Sequence, residues 1–257
     1  TFLSGLLANI SWNSAFLVYL LGIPALVLVA LNLPNERLKT GSATMEDAPN
    51  YYESETGITK ARKKEGRPVA SLMRFAPSVL GMYLQMLLFF IFPTNFAITA
   101  CTNETLTGND ITLIMVGLDV IAAIIGVVFG WMMKNMGRTV KYMAPLTFTI
   151  GYALFAMGVA TPLLLGGAFF VGLANGIGMP YLNTIASIKG GKDAATTVMP
   201  LISAAMYLGQ FTSPLIVSPI SEALGGGNSP YLVGVIISIL FLLQAFYSRK
   251  YQALGVR

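Results

Sequence analysis

The run ITLIMVGLDVIAAIIGVVFGWMM, residues 111–133, holds one ionisable side chain, Asp119, among apolar neighbours. A charge at the centre of a membrane helix costs about 2.5–3.5 kcal/mol on insertion scales. A carboxylate kept at such a depth couples to a proton, recognises a cation, or is hydrogen-bonded by a neighbouring helix. The residues alone leave these readings open. Its helical neighbours at spacing three and four are Thr112, Met115, Ala122, Ala123, Gly126 and Gly130. Such a small, partly polar stripe suits contact with protein or a cavity better than contact with lipid. Other apolar runs also contain polar groups: Tyr83, Gln85, Asn95, Asn175, Asn183, Tyr207 and Gln210. A buried amide needs a hydrogen-bond partner, which a neighbouring helix, water or a substrate can supply.

Several chemistries are closed to this chain. Its 257 residues include no His and one Cys, Cys101. His-based metal sites, Ser–His and Cys–His catalysis and an internal disulfide are therefore excluded. The phosphate-binding pattern GxxxxGK[ST] is absent as well. The expectation is a protein that is not an enzyme and holds no metal or cofactor.

The elements that carry these residues follow from hydropathy. Apolar types make up 55% of the chain and charged types 11%, and the mean hydropathy is +0.69. Soluble domains carry roughly 25% charged residues. Stretches near 20 apolar residues match a bilayer core of roughly 30 Å at 1.5 Å rise per residue. Seven such stretches lie at about 14–34, 71–98, 111–133, 142–160, 163–188, 197–220 and 229–248. All are predicted to be helices, because open sheet edges go unsatisfied in lipid. The fold class is thus all-α, a polytopic membrane helix bundle.

Lys and Arg set the expected orientation. All 16 basic residues fall in segment 35–70, at Arg74, in loops 134–141 and 189–196, and in the tail after 248. Seven spans place every one of these on the same side, so loop 35–70 and the C-terminus are expected in the cytoplasm. The opposite loops carry Glu104, Asp110 and Glu222. The net charge of +5 is then a topology signal, and no nucleic-acid partner is expected. The stretch KARKKEGR at 60–67 either fixes topology alone or also meets anionic lipid heads.

Residues Asn13–Val18 read NSAFLV and residues Asn228–Val233 read NSPYLV, each opening a span on the same side. A parallel repeat of two six-helix halves is one plan of secondary transporters. It makes residues 1–34 the end of a fifth helix and the sixth helix of a first bundle. Residues 35–70 become a cytoplasmic linker, 71–248 a second six-helix bundle, and 249–257 a cytoplasmic tail. The chain is then expected to be a fragment of a twelve-helix transporter, with an N-terminal half supplied elsewhere.

The sequence resembles the Major Facilitator Superfamily over nearly its whole length. GWMMKNMGR, Gly130 to Arg138, is similar to the second-half copy of the family's signature between helices eight and nine. Gly130, Gly137 and Arg138 match it, while Lys134 stands where the family prefers Asp, so an acidic relay role does not carry over. GQFTSPLIVSP, from Gly209 through Pro214 to Pro219, resembles the second-half version of a glycine–proline motif associated with antiporters. Overall the chain is most similar to bacterial drug:proton antiporters. The resemblance implies alternating access and proton-coupled efflux of a drug or metabolite across a bacterial cytoplasmic membrane. A sugar or organic-acid permease, or a non-transporting scaffold or sensor, is the alternative.

The family's arrangement implies that spans 71–98, 111–133, 163–188 and 197–220 line a central cavity. Asp119 becomes the candidate for proton coupling, with Tyr83, Gln85, Asn175, Tyr207 and Gln210 as candidates for touching a small-molecule substrate. Met82, Met86, Phe89, Phe90, Met179 and Phe211 form either an adaptable apolar wall or ordinary lipid-facing surface. In GLANGIGMP, Gly172, Gly176, Gly178 and Pro180 read as tight helix packing or as a hinge.

Overall fold

A computed structural model describes Ile23 and residues 75–102, 106–190 and 197–247. The span expected at 14–34, the NSAFLV copy, the linker and the tail lie outside the described residues apart from Ile23, which is helical. The described bundle contains α1 (Ala76–Thr102), α2 (Gly108–Met136), α3 (Val140–Met157), α4 (Thr161–Gly190), α5 (Met199–Ala223) and α6 (Ser229–Tyr247). A single 3-10 turn, Gly137–Thr139, joins α2 to α3. No strand occurs among the described residues.

The helices start where local chemistry lets them. Four of them carry Pro as the second residue: Pro77, Pro162, Pro200 and Pro230. In a first turn the missing N–H of Pro has no intrahelical partner to lose, and its fixed φ suits the helix. α2 instead begins with a capping box. Asp110 N–H donates to Thr107 Oγ1, and Asp110 Oδ2 accepts from Thr107 N–H at 3.1 Å. α2 ends at Gly137, whose φ of 47° is a turn that side chains other than glycine's resist.

Internal prolines do not end the helices. Pro93 sits inside α1 and removes the amide donor of Phe89 O, while the two side chains after it bond the next carbonyls along. Thr94 Oγ1 donates to Phe90 O at 2.6 Å and Asn95 Nδ2 to Ile91 O at 2.8 Å. α4 likewise runs unbroken through Pro180.

Six helices stand where six spans were predicted after residue 70, and five of them are long and apolar enough to cross a membrane. The exception is α3, predicted at 142–160. It starts two residues early, taking in Lys141, and stops at Met157 before Gly158. It is also deeply buried, with Phe148, Tyr152 and Phe155 inaccessible.

The packing gives two layers. α5, α1, α4 and α2 form a front row in that order, and α3 and α6 lie behind it. α3 packs on α4 and α6, and α6 packs on α1. Exchanging the first three helices for the last three maps the α1–α5 contact onto α4–α2. Aromatic rings fill the space between layers. Phe155 meets Tyr231 at 4.9 Å and Phe92 at 5.5 Å, and the Tyr152 hydroxyl donates to Leu88 O. Lipid is as apolar as these side chains, so close packing and interhelical hydrogen bonds hold such a bundle.

Candidate functional site

The front row carries every residue singled out for the substrate path. Gln85 of α1 is fully buried against α4. Its Nε2 lies 3.4 Å from Ala174 O and 3.5 Å from Asn175 Oδ1, both long contacts. Its Oε1 has no hydrogen-bond partner among the described residues. Room for this amide exists because position 178 is glycine: a Cβ there would overlap the Gln85 side chain. The structure therefore brings Gln85 and Asn175 together at the α1–α4 crossing.

A second polar group forms where α1 meets α5. Thr212 Oγ1 donates to Tyr83 Oη at 3.0 Å, Ser213 Oγ donates to Leu87 O at 2.9 Å, and Gln210 Nε2 points at Met86 Sδ, 3.8 Å away. Thr212 and Ser213 had no place among the candidates. Their signal was available, since they follow Gly209 by three and four residues, on the same helical face. Tyr207 and Phe211 sit on the open side of α5 and are exposed, whereas Met82 and Met86 are buried in the core. That placement removes Met82 and Met86 from both the wall and the lipid surface. Phe89, Phe90 and Met179 are half-buried.

Asp119 stands apart from both groups, exposed on α2. The predicted stripe around it splits. Ala122 turns inward, its carbonyl facing the Cβ position of Gly176 on α4. Ala123, Gly126 and Gly130 are exposed with Asp119, and a Cβ at Gly126 or Gly130 would meet nothing within 4 Å. The other exposed flank of α2 is bulky: Leu113, Val120, Ile124, Val127 and Trp131. One helix thus presents a small, acidic flank and a large apolar one. Gly130 matches the family's signature, and among the described residues nothing lies within 4 Å of the position its Cβ would take.

In the signature segment, Lys134 lies exposed in the last turn of α2, where a cation suits the helix dipole. Gly137 makes the turn, and the Arg138 side chain lies outside the description. The candidate hinge glycines all pack closely. A Cβ at Gly172 would stand 2.8 Å from Leu118 O, and one at Gly176 2.7 Å from Ala122 O. One at Gly209 would stand 2.5 Å from Tyr83 O. Pro214 is exposed in the interior of α5. No group of three His, Cys, Asp or Glu that could hold a metal ion occurs among the described residues.

The family model of the Major Facilitator Superfamily matches residues 1–214. The chain belongs to the Major Facilitator Superfamily. No curated protein matches it. This facilitator is a multi-pass membrane protein of a transporter family, and its all-helical bundle with five apolar spans accords with part of such a transporter. Of the candidate residues, Gln85 and Asn175 meet at the α1–α4 crossing, Tyr83 and Gln210 lie at the α1–α5 seam, Tyr207 is on the open side of α5 and Asp119 on the open flank of α2.

Proposed function

We propose that this chain is part of a secondary active transporter that exports a small molecule by alternating access in exchange for protons, with Asp119 as the coupling carboxylate. One observation carries the reading. Asp119, the one acidic residue away from the helix ends (Asp110 and Glu222 lie in terminal turns), sits on a flank of α2 built of small side chains, with open space over Gly126 and Gly130. A carboxylate in lipid without such a flank would be a cost with no return. On this reading the N-terminal half supplies the other wall of the path. On the same reading loop 35–70 and the C-terminus face the cytoplasm of a bacterium, which the gathering of all sixteen basic residues on one side of seven spans supports.

The test is ethidium flux in inverted membrane vesicles holding the full transporter. Wild-type protein should accumulate ethidium against its gradient until an uncoupler is added. Asp119→Asn should abolish the uphill component and leave downhill movement measurable. Full uphill flux in Asp119→Asn would refute the assignment of Asp119. Uncoupler-sensitive movement of a sugar or organic acid, with no ethidium flux, would favour a permease. Absence of flux for every probe would favour a scaffold.

A further inference from the structure

Lys141 is the second residue of α3 and is only 8% exposed. Its Nζ has no hydrogen-bond partner among the described residues. Its Nζ lies 4.4 Å from the centroid of the Tyr142 ring. A cation–π contact offsets part of the desolvation of an ammonium but supplies no countercharge. The helix start gives no acid either, because the first turn of α3 contains no Asp or Glu.

Lys141 shares the buried face of α3 with Pro145, Phe148 and Tyr152, and its neighbour Tyr142 leads from it to the surface. The Tyr142 ring packs on Phe246 at 4.5 Å. Phe246 forms, with Leu243, Gln244 and the 93% exposed Tyr247, a shallow and mostly apolar groove at the end of α6. From that groove an exposed apolar stripe continues along α6 through Leu240, Ile239 and Ile236. A cation, two aromatic rings and an apolar track therefore meet at one end of two adjacent helices. The four-carbon stem of lysine lets its head reach the bundle surface by a change of rotamer.

We infer that Lys141 and the α6 groove hold an anionic phospholipid, its phosphate on the Lys141 ammonium and an acyl chain along Leu243 and Phe246. The lipid is anionic rather than zwitterionic because an ammonium with no hydrogen-bonded acid among the described residues is best met by net negative charge. A choline headgroup brings its own cation. Aromatic side chains at the level of the headgroups are the ordinary company of such a site. The inference does not depend on what the transporter carries.

The experiment is native mass spectrometry of the full chain in detergent, offered phosphatidylglycerol or phosphatidylcholine of matched chains. Wild-type protein should retain phosphatidylglycerol about five-fold over phosphatidylcholine, the preference expected for one basic residue near a membrane surface. Lys141→Gln should bring the ratio to about one, and Lys141→Arg should keep it. Phe246→Ala should lower retention of both lipids and leave their ratio unchanged. No preference in the wild type overturns the proposal, whether or not the variants fold. So does an unchanged ratio in Lys141→Gln. Displacement of phosphatidylglycerol by equimolar inorganic phosphate would also overturn it, since that marks a site for free anions rather than for lipid.

Discussion

Two seams of the front row are closed by glycine, and they differ in what else holds them. Where α5 meets α1, Gly209 lies against the Tyr83 carbonyl and the Leu87 amide, and the next turn adds Ser213 to Leu87 O and Thr212 to the Tyr83 hydroxyl. Where α2 meets α4, the close residues are Gly172 and Gly176 against Leu118, Ala122 and Ile125. None of those five has a polar side chain. The two seams exchange when the first three helices are swapped for the last three, so one packing problem has two solutions. Glycine sets the distance between axes in both. Hydroxyl groups add a register in only one, because a hydrogen bond is lost when a helix slides while dispersion contacts are merely traded. α2 is therefore held to α4 along these five residues by shape alone, and α2 is the helix that carries Asp119.

The largest effects should come from closing these gaps. Gly209→Ala drives a methyl group into α1 backbone, which cannot swing aside as a side chain would. Overpacking of this kind costs about 1–3 kcal/mol. Pushing α5 away also strains the bonds of Ser213 and Thr212, so the loss should reach the upper part of that range. Gly176→Ala meets the same obstacle at Ala122 O and should cost less, because no hydroxyl pair is broken with it. The measurement is unfolding of each variant in mixed micelles. Equal losses, or a larger loss for Gly176→Ala, would remove the distinction between the seams. The bulkier Gly176→Leu should abolish transport and also lower stability. A loss of transport in a fully stable protein, as a pure hinge would give, is not expected from this geometry.

Next in size is the crossing between α1 and α4. Gly178→Ala should be destabilising because its methyl group overlaps the Gln85 amide. Here the obstacle is a side chain, and removing it should remove the penalty. In Gln85→Ala, the Gly178→Ala change should be close to neutral. Residues in direct contact couple by about 0.5–3 kcal/mol in such double-mutant cycles, and this pair should lie within that range. Additive losses would show that position 178 is limited by backbone rather than by Gln85.

How much of this could be read in the sequence depends on the length scale of the cause. Six helices after residue 70 follow from hydropathy, since the bilayer imposes a span of known length. Their ends shift by a few residues because prolines, the Thr107 box and Gly158 act locally, within polar residues that a hydropathy window averages away. The place of Asp119 well inside its helix was legible for the same reason. Its neighbours were less so: Ala122 and Ala123 are both within helical reach of it, yet one faces α4 and the other open space. Gln85 was recognisable as an amide in need of a partner. That its room is Gly178 could not be read, because the two lie 93 positions apart and only the fold joins them. Lys141 looked like one more charge of a basic loop, and nothing in its neighbours' types announced burial.

The smallest effect belongs to the hydroxyl itself. Ser213→Ala deletes the bond to Leu87 O without changing the fit of Gly209. A bond of this kind between membrane helices averages about 0.6 kcal/mol, and Leu87 O is a helix-interior carbonyl that keeps its own backbone partner. The unfolding loss should therefore be near 0.6 kcal/mol, well below that of Gly209→Ala. The sharper readout is the pair: Gly209→Ala measured in the Ser213→Ala background. If the hydroxyl fixes register, part of the glycine penalty is the strain on that bond, and the second substitution should cost less once the bond is gone. If the two losses simply add, the hydroxyl holds nothing in place, and the α1–α5 seam is closed by shape alone, as the α2–α4 glycine line is.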